Sequence, residues 1–237
     1  MFNDIVDIKK YLLIQQLNDS IFPIGGYTQS YGLETYVQQQ RVCNQQHFHQ
    51  YLKQNILHNL LFNELLAAKL GYICAIEYNM QQLLFVDELI SATKSAKEIR
   101  QASIKLGSRL FKTISKLGIK FDNNCFINYY QQVESGDYFG HHALAYGALC
   151  GSLDLQYDYC MLNFAYSQLS AMINTGVKLI PLSQTIGQQL LYALHPTLIE
   201  AIKRLEHLSV DDLGKTTPGF ELRSIQHEKL YSRLYIS

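Results

Sequence analysis

The sequence is poor in proline, has no tryptophan and carries no excess charge of either sign. Its 237 residues include 4 prolines, and Lys+Arg and Asp+Glu number 20 each, so the formal net charge is zero. Nucleic-acid-binding proteins normally carry a basic face, which argues against a nucleic-acid partner. A net charge near zero gives little protection against association. This balance is therefore compatible with a protein that works in a complex.

Signals for disulfides, secretion and membrane insertion are also missing. The five cysteines are odd in number and widely spaced, which does not match a disulfide framework or a paired zinc motif. Buried free thiols in a reducing compartment are the interpretation we favour. The N-terminus has no apolar signal core, and no stretch approaches the ~20 apolar residues that span a membrane. The sequence predicts a soluble, cytoplasmic protein without a membrane partner.

What the sequence does contain is helical periodicity along almost its whole length. Strand signals, meaning alternation bounded by turn dipeptides, are lacking. Residues 95–117 show an apolar stripe at helical spacing. Ser95 and Glu98 have the spacing of a capping box at its start, and Gly118 marks its end. The pattern predicts an all-α fold, a single-domain bundle of roughly eight to ten helices.

The segment 158–178 predicts a helix with unusually little charge. One apolar stripe is followed by an adjacent stripe of small and polar residues, and such a helix lies either at the centre of a bundle or in a protein interface. We expect it to form a homodimer interface through the following residues: Tyr159, Leu162, Tyr166, Leu169 and Ile173. A plain central helix is the alternative.

Prolines divide the C-terminal third of the chain. Pro181 follows the helix at 158–178, and His195-Pro196 predicts a break in the next helix, because the residue before proline avoids the helical region. From Pro218 onward, tyrosine, arginine, leucine and histidine alternate with charges. We therefore divide the chain into a helical domain at 1–217 and a C-terminal partner-binding tail at 218–237.

Motifs for catalysis or metal binding are weak. Gly214-Lys215-Thr216 resembles the end of a P-loop, but Ser209 stands where that loop requires glycine, and no strand precedes it. The close histidine pairs, at positions 47 and 49 and at 141 and 142, lack the spacing that chelates zinc from one helix face. We predict no catalytic residues, no metal ligands and no cofactor.

Five segments, which follow one another in the same order as in the family, resemble the UreF family of urease accessory proteins. They are residues 17–34, with the core Pro-Ile-Gly-Gly-Tyr, then 98–110, 142–147 and 177–188, and finally the tail His-Glu-Lys-Leu-Tyr-Ser-Arg-Leu-Tyr-Ile-Ser at 227–237. The residues that match the signature are Pro23, Gly25, Gly26, Gly32, Glu34, Arg100, Gly107, Arg109, His142, Gly147, Lys178, Pro181, Gln184, Gly187 and Gln188. Departures occur at Lys178, Ile186 and Gln226, where many members carry Arg, Asp and Arg.

The resemblance implies a non-catalytic helical homodimer that binds the accessory protein UreD/UreH. On that platform the GTPase UreG is recruited, and apo-urease is activated with nickel through the complex. The tail residues that this function implies as partner contacts are His227, Glu228, Tyr231, Ser232, Arg233, Leu234 and Tyr235.

Two other functions stay open from the sequence. A GTPase-activating regulator of UreG would use an exposed arginine to stabilise phosphoryl-transfer charge, and the candidates are Arg100, Arg109, Arg223 and Arg233. A helical hydrolase or metal enzyme has only scattered histidines in its favour.

Two local structures are also predicted. Residues 23–26 should form a turn that leads into a helix starting near Thr28, with Gly25 or Gly26 in a backbone conformation that other residues resist. The tail should be poorly ordered, or only partly helical, until it meets UreD/UreH. The alternative is a tail packed back on its own bundle.

Overall fold

A computed structural model of the protein describes residues 5–26, 29–215 and 218–236, and within these ranges it contains helices and turns but no strand. This confirms the predicted all-α fold. The helices are α1 (Ile5–Asn18), α2 (Leu33–Gln38), α3 (Gln45–Asn55), a π-helix (Ile56–Leu65), α4 (Leu66–Ile76), α5 (Met80–Thr93), α6 (Lys97–Ile114), α7 (Cys125–Glu134), α8 (His142–Ser152), α9 (Tyr157–Leu179), α10 (Gln184–Ala193), α11 (His195–Leu205), a 3₁₀ turn (Val210–Asp212) and α12 (Pro218–His227).

Helix α8 forms the centre of the bundle, since every one of its residues is buried. It packs most closely on α4, where glycines allow the two backbones to touch. A Cβ at Gly147 would overlap the carbonyl oxygen of Ala68, and one at Gly71 would overlap that of Leu144. The signature residue Gly147 is therefore needed for helix packing.

Helix α9 spans the predicted segment and lies beside α1. The Tyr11 and Tyr159 rings are 5.7 Å apart, and the Gln15 amide nitrogen donates to Asn163 Oδ1 at 2.8 Å. The predicted break at 195–196 is confirmed, because α10 ends at Ala193 and α11 begins at His195.

The predicted start of α6 is wrong in detail. Ala96, not Ser95, is the N-cap residue, and no side chain caps the helix. The Ser95 hydroxyl donates to the Glu221 carboxylate, and Glu98 bonds residues of the tail. Both side chains are thus engaged by partners distant in sequence, which replace the local capping box. The helix also ends at Ile114, before the predicted Leu117.

The turn at 23–26 forms, but the helix after it begins later than predicted. Gly25 has φ +79° and Gly32 has φ +81°, and α2 begins at Leu33. Thr28 and Ser30 were the two predicted caps. Thr28 lies outside the described residues, and Ser30 is not the cap, because Gly32 is the N-cap residue and no side chain caps the helix. A Cβ at Gly26 would meet no atom of the described part of the chain within 4 Å, so Gly25 is the constrained member of the pair there.

The continuous helix Gln45–Ile76, 32 residues long, is long and apolar enough to cross a membrane by length and composition. The prediction that no stretch of the sequence approaches the length of a membrane span is therefore wrong. Of its most apolar window, 56% is buried inside the protein, as in the core helix of a soluble protein. The finding is consistent with the predicted soluble protein.

Candidate functional site: a clamped C-terminal segment

Four ionisable side chains from three distant segments meet at the C-terminal end of α12. They are Glu34 of α2, Glu98 of α6, and His227 and Arg233 of the tail, and we call them the tail clamp. His227 Nδ1 lies 2.6 Å from Glu98 Oε2, and its Nε2 lies 3.2 Å from Glu34 Oε2. The Arg233 guanidinium donates to Glu98 Oε1 at 2.7 Å. One imidazole thus bridges two carboxylates, and one of these carboxylates also holds the tail arginine.

Glu34 also fixes the tail backbone. Its Oε1 accepts the backbone N–H of Leu234 at 2.8 Å, and its Oε2 accepts that of Tyr235 at 3.2 Å. The Glu34 side chain is buried, so these charge-assisted bonds replace its lost hydration. Two orphan backbone donors of an extended segment are satisfied in the same contact.

Packing of α2 against α12 brings Glu34 to this position. A Cβ at Gly32 would lie 2.8 Å from Ser224 Oγ, so only glycine allows this approach at φ +81°. The Thr35 hydroxyl donates to the carbonyl of Arg223 at 3.0 Å. The Phe220 ring packs against the Tyr36 and Tyr51 rings, with centroid distances of 6.1 and 5.5 Å. Helix α12 is therefore part of the core.

The clamped segment turns its large apolar side chains outward. Tyr231 is fully exposed, Leu234 is 76% exposed and Ile236 is 60% exposed. Their backbone is held while their side chains are free to contact another molecule. Glu228, Ser232 and Arg233 are also exposed and Tyr235 is partly so. His227, by contrast, is fully buried in the clamp, so its predicted direct contact with a partner is corrected to a positioning role.

Between Phe220 and Tyr235 the tail contacts α2 and α6, which is the packed arrangement that we named as the alternative to a poorly ordered tail. In this arrangement its order comes from the clamp and from α12. The partner contacts themselves stay a prediction.

The residues predicted for a dimer interface divide into two groups. Tyr159, Leu162 and Tyr166 are 40–44% exposed on α9, whereas Leu169 and Ile173 are buried in the core. The exposed group continues toward α10 and α11, because the His195 ring lies 6.4 Å from Tyr166 and 5.3 Å from Tyr192. We call Tyr159, Leu162, Tyr166 and Tyr192 the aromatic face. The two buried residues support the helix from below and do not reach solvent.

Other signature residues hold loops in place. Arg109 donates to the carbonyl of Ile24 at 3.0 Å, and Arg100 donates to that of Lys94 at 2.7 Å. A Cβ at Gly107 would overlap the carbonyl oxygen of Gly140. In the segment 177–188, Gly187 packs on α9, while the remaining signature residues are exposed: Lys178, Pro181, Gln184 and Gln188.

The two adjacent histidines, His141 before α8 and His142 at its start, are buried. Burial lowers the pKa of His141 to about 4 and that of His142 to about 4. His141 Nδ1 lies 3.1 Å from Ser103 Oγ. The described residues contain no group of three or more His, Cys, Asp or Glu side chains arranged to hold a metal ion.

Asp87 is the buried residue here that sequence reasoning missed. Its carboxylate accepts the backbone N–H groups of Phe139, Gly140 and His141 at 2.7, 3.2 and 3.1 Å, and the Tyr129 hydroxyl at 2.6 Å. It thereby holds the loop that enters α8. In the sequence, Asp87 is only an acidic residue on the apolar face of α5. Periodicity alone does not distinguish such a buried carboxylate from an exposed one.

The fold and the clamp together define a class: all-α proteins that fix their own C-terminal segment on the bundle and expose apolar side chains from it. The chain belongs to the UreF family, whose family model matches residues 42–195.

Proteins named urease accessory protein UreF are similar to this chain over nearly its full length. One from Actinobacillus pleuropneumoniae is 33% identical over 93% of this chain and 96% of its own. One from Haemophilus influenzae is 34% identical over 93% of each chain. One from a Bacillus species is 29% identical over 97% of this chain and 100% of its own.

Proposed function

We propose that this protein is a non-catalytic scaffold in urease maturation, which binds UreD/UreH and recruits the GTPase UreG for nickel insertion into apo-urease. Family membership supports the assignment to urease maturation. The observation that carries the scaffold role is the clamped segment, which offers Tyr231 and Leu234 to solvent on a fixed backbone. Tyrosine and arginine contribute disproportionately to binding energy at interfaces.

Preorganisation is the physical reason that a clamped tail makes a good docking element. A free peptide loses conformational entropy when it binds, and this loss weakens its affinity. Here the bonds to Glu34 and Glu98 fix the backbone before any partner arrives. The aromatic face of α9 supports a homodimer, which would present two such tails. We assign the complex to the cytoplasm.

The second candidate function is regulation of UreG by an arginine finger. Each of the four arginines considered has a partner within the chain: Arg100 and Arg109 bond backbone carbonyls, Arg223 donates to Gln226 Oε1 and Arg233 bonds Glu98. A catalytic finger needs a guanidinium free to reach the phosphates. These contacts favour the scaffold over the regulator.

The proposal is tested by replacing the exposed tail side chains without touching the clamp. The double variant Tyr231→Ala, Leu234→Asp should keep the fold and lose at least 10-fold in affinity for UreD/UreH, because it removes two apolar anchors. Tyr78→Ala is the matched control, since Tyr78 is 61% exposed on another part of the bundle. Affinity is measured by calorimetry with purified UreD/UreH.

Unchanged affinity in the double variant would remove the tail as the docking element. GTP turnover by UreG, measured with and without this protein, separates the two candidate functions. A large acceleration that Arg233→Lys abolishes would favour the regulator.

A further inference from the structure

The one exposed cysteine of the chain lies beside a histidine at the start of α3, apart from the tail clamp. Cys43 is exposed, whereas the other four cysteines are buried. Its Sγ lies 3.3 Å from Nδ1 of His47, which is half-buried in the first turn of α3. We call these two side chains the Cys43–His47 pair. The expectation of buried thiols is therefore wrong for this cysteine, and its sulfur is open to a ligand from solvent.

The start of α3 fixes the backbone that carries the pair. Asn44 is the N-cap residue of this helix, and its Oδ1 accepts the backbone N–H of His47 at 2.9 Å. Val42 and Phe48, which flank the segment on its two sides, are buried in the core. The two ligand side chains therefore start from fixed points of the backbone, and they adjust to a bound ion only by rotation about their own bonds.

The separation of the sulfur and the nitrogen fits one shared metal ion. In zinc sites the Zn–S distance is about 2.3 Å and the Zn–N distance is about 2.0–2.1 Å, so a tetrahedral angle separates the two ligand atoms by about 3.5–3.6 Å. The observed separation is 3.3 Å. An ion at those two bond lengths would have an angle of about 100° between its ligands before either side chain moved apart. Small rotations of the two side chains are enough to reach the tetrahedral value.

The types of the two ligands select the class of ion. Thiolate and imidazole together suit Zn²⁺ and its neighbours among the transition metals, whereas Mg²⁺ and Ca²⁺ prefer oxygen ligands. Structural zinc sites use four protein ligands, and sites with fewer protein ligands keep positions open for water or for another molecule. A pair of ligands at the surface therefore predicts a weak site from which the ion exchanges readily.

We propose that Cys43 Sγ and His47 Nδ1 together bind one borderline-soft divalent metal ion of the Zn²⁺ class, with two coordination positions left open. The inference goes beyond the proposed scaffold function and does not depend on it, because it needs no partner protein. It revises the prediction of no metal ligands. Neither the histidine spacings nor the cysteine spacings indicate this mixed pair when each residue type is read alone. Because the thiol loses its proton to the solvent when the ion binds, affinity should rise with pH.

The test uses the whole chain, reduced and without an affinity tag, and Co²⁺ as the probe. A thiolate bound to Co²⁺ gives a charge-transfer absorption in the near ultraviolet, which a site built from histidines alone does not give. Zn²⁺ should displace Co²⁺ and remove this band, whereas Mg²⁺ should leave it unchanged. Half the binding free energy of a four-ligand zinc site corresponds to a Kd of about 1–200 μM for Zn²⁺, and one ion is expected for each chain.

Two variants identify the ligands, and neither removes a core residue. Cys43→Ser should abolish the charge-transfer band, and His47→Gln should weaken Zn²⁺ binding at least 10-fold. His49→Gln is the matched control, because His49 is also half-buried on α3 but lines a groove with Gln189 and Leu190 of α10. It should leave the Kd unchanged.

Three results would overturn the proposal. The first is the absence of a charge-transfer band with Co²⁺ up to about 1 mM. The second is a band that persists in Cys43→Ser. The third is equal affinity for Zn²⁺ in His47→Gln and His49→Gln, which would show that the imidazole beside the thiol is not a ligand.

Discussion

At the residue scale, the turn before α2 depends on one glycine of an adjacent pair. Gly25 has φ +79°, and a Cβ there would overlap the guanidinium of Arg109, which holds the same turn through Ile24. At Gly26, no atom of the residues that the structure describes lies within 4 Å of the position of a Cβ. The two glycines of the signature therefore differ in their tolerance of a side chain.

We expect Gly25→Ala to lower the free energy of unfolding by about 1–2 kcal/mol, because a left-handed conformation is unfavourable for any residue with a Cβ. Gly26→Ala is the matched control and should change it by less than about 0.5 kcal/mol. Urea denaturation followed by circular dichroism measures both. An equal loss of unfolding free energy in the two variants would show that the turn does not need glycine at Gly25 more than at Gly26.

The pKa values of the two buried histidines near α8 give the protein a predictable response to acid. Each has a folded-state pKa of about 4, which lies below the ordinary value of 6.5 because burial disfavours the charged imidazole. As the pH falls below 6.5, these histidines bind protons in the unfolded chain but not in the folded chain. Stability is therefore full above pH 6.5 and is lost progressively between pH 6.5 and pH 4.

Between pH 6 and pH 4.5, each histidine should reduce the free energy of unfolding by up to about 1.4 kcal/mol per pH unit. His142→Asn should reduce this slope by about one proton, whatever its effect on stability at neutral pH. His207→Asn, at an exposed position, is the control and should leave the slope unchanged. The measurement is urea unfolding at a series of pH values, and a slope that His142→Asn leaves intact would contradict the assignment.

At the element scale, α9 has two faces with different tasks. Leu169 and Ile173 pack into the core, while Tyr159, Leu162 and Tyr166 leave about two fifths of their surface to solvent. Large apolar groups that share one exposed face of a helix are typical of a contact surface. The aromatic face is thus the strongest candidate on this helix for contact between two copies of the chain.

We expect the unmodified chain to sediment as a dimer of its 27.2 kDa protomer and Tyr166→Asp to sediment as a folded monomer. A buried unpaired carboxylate is unfavourable by several kcal/mol, which weakens association more than 1,000-fold, by a rough conversion. Phe85→Asp is the control, because Phe85 is 50% exposed on α5. A dimer that persists in Tyr166→Asp would confine α9 to the core.

Helix positions were more predictable than helix ends or helix contacts. The periodicity placed a helix at 158–178, and the structure has α9 at Tyr157–Leu179. The capping box at Ser95 failed because Glu98 bonds His227 and Arg233, which lie more than a hundred residues away. Periodicity reports which face of a helix is apolar, but it contains no information on pairs that only the assembled bundle brings together.

The same limit applies to the candidate site. Glu34, His227 and Arg233 were all singled out from sequence motifs, but nothing in their spacing indicated that one imidazole would bridge two carboxylates. Asp87 was missed altogether, since a buried polar side chain looks like any other polar residue before its neighbours are known.

At the scale of the whole molecule, the boundary between the helical domain and the C-terminal tail decides which residues the fold needs. The boundary predicted between 217 and 218 stays a prediction. Phe220 is 8% exposed and packs with Tyr36 and Tyr51, which favours a boundary after α12 instead. Only the segment beyond His227 lacks buried apolar side chains in the described part of the tail.

Two truncations test where the body ends. A chain that ends at Lys229 keeps His227 but loses the bonds that Arg233 makes with Glu98 and that the Leu234 and Tyr235 amides make with Glu34. Its Tm should fall by roughly 2–10 °C. A chain that ends at residue 217 also loses Phe220, a core loss of about 3–5 kcal/mol, and should melt far lower or fail to fold. Thermal unfolding followed by circular dichroism compares the two truncated chains. Equal Tm values would mean that α12 does not stabilise the fold and would favour the predicted boundary between 217 and 218.

The contact between Glu34 and the Leu234 amide joins residues 200 positions apart. Bringing together such distant points requires closure of a very long loop, so this contact is among the slowest to form in a folding chain. Helices α3 to α11 lie within that loop, and we expect them to be largely assembled before the tail finds its carboxylates. A tail that is bound to Glu34 and Glu98, which we call a seated tail, therefore indicates that the rest of the bundle has folded. A partner that recognises only the seated tail would ignore half-folded chains without any separate means of detecting them.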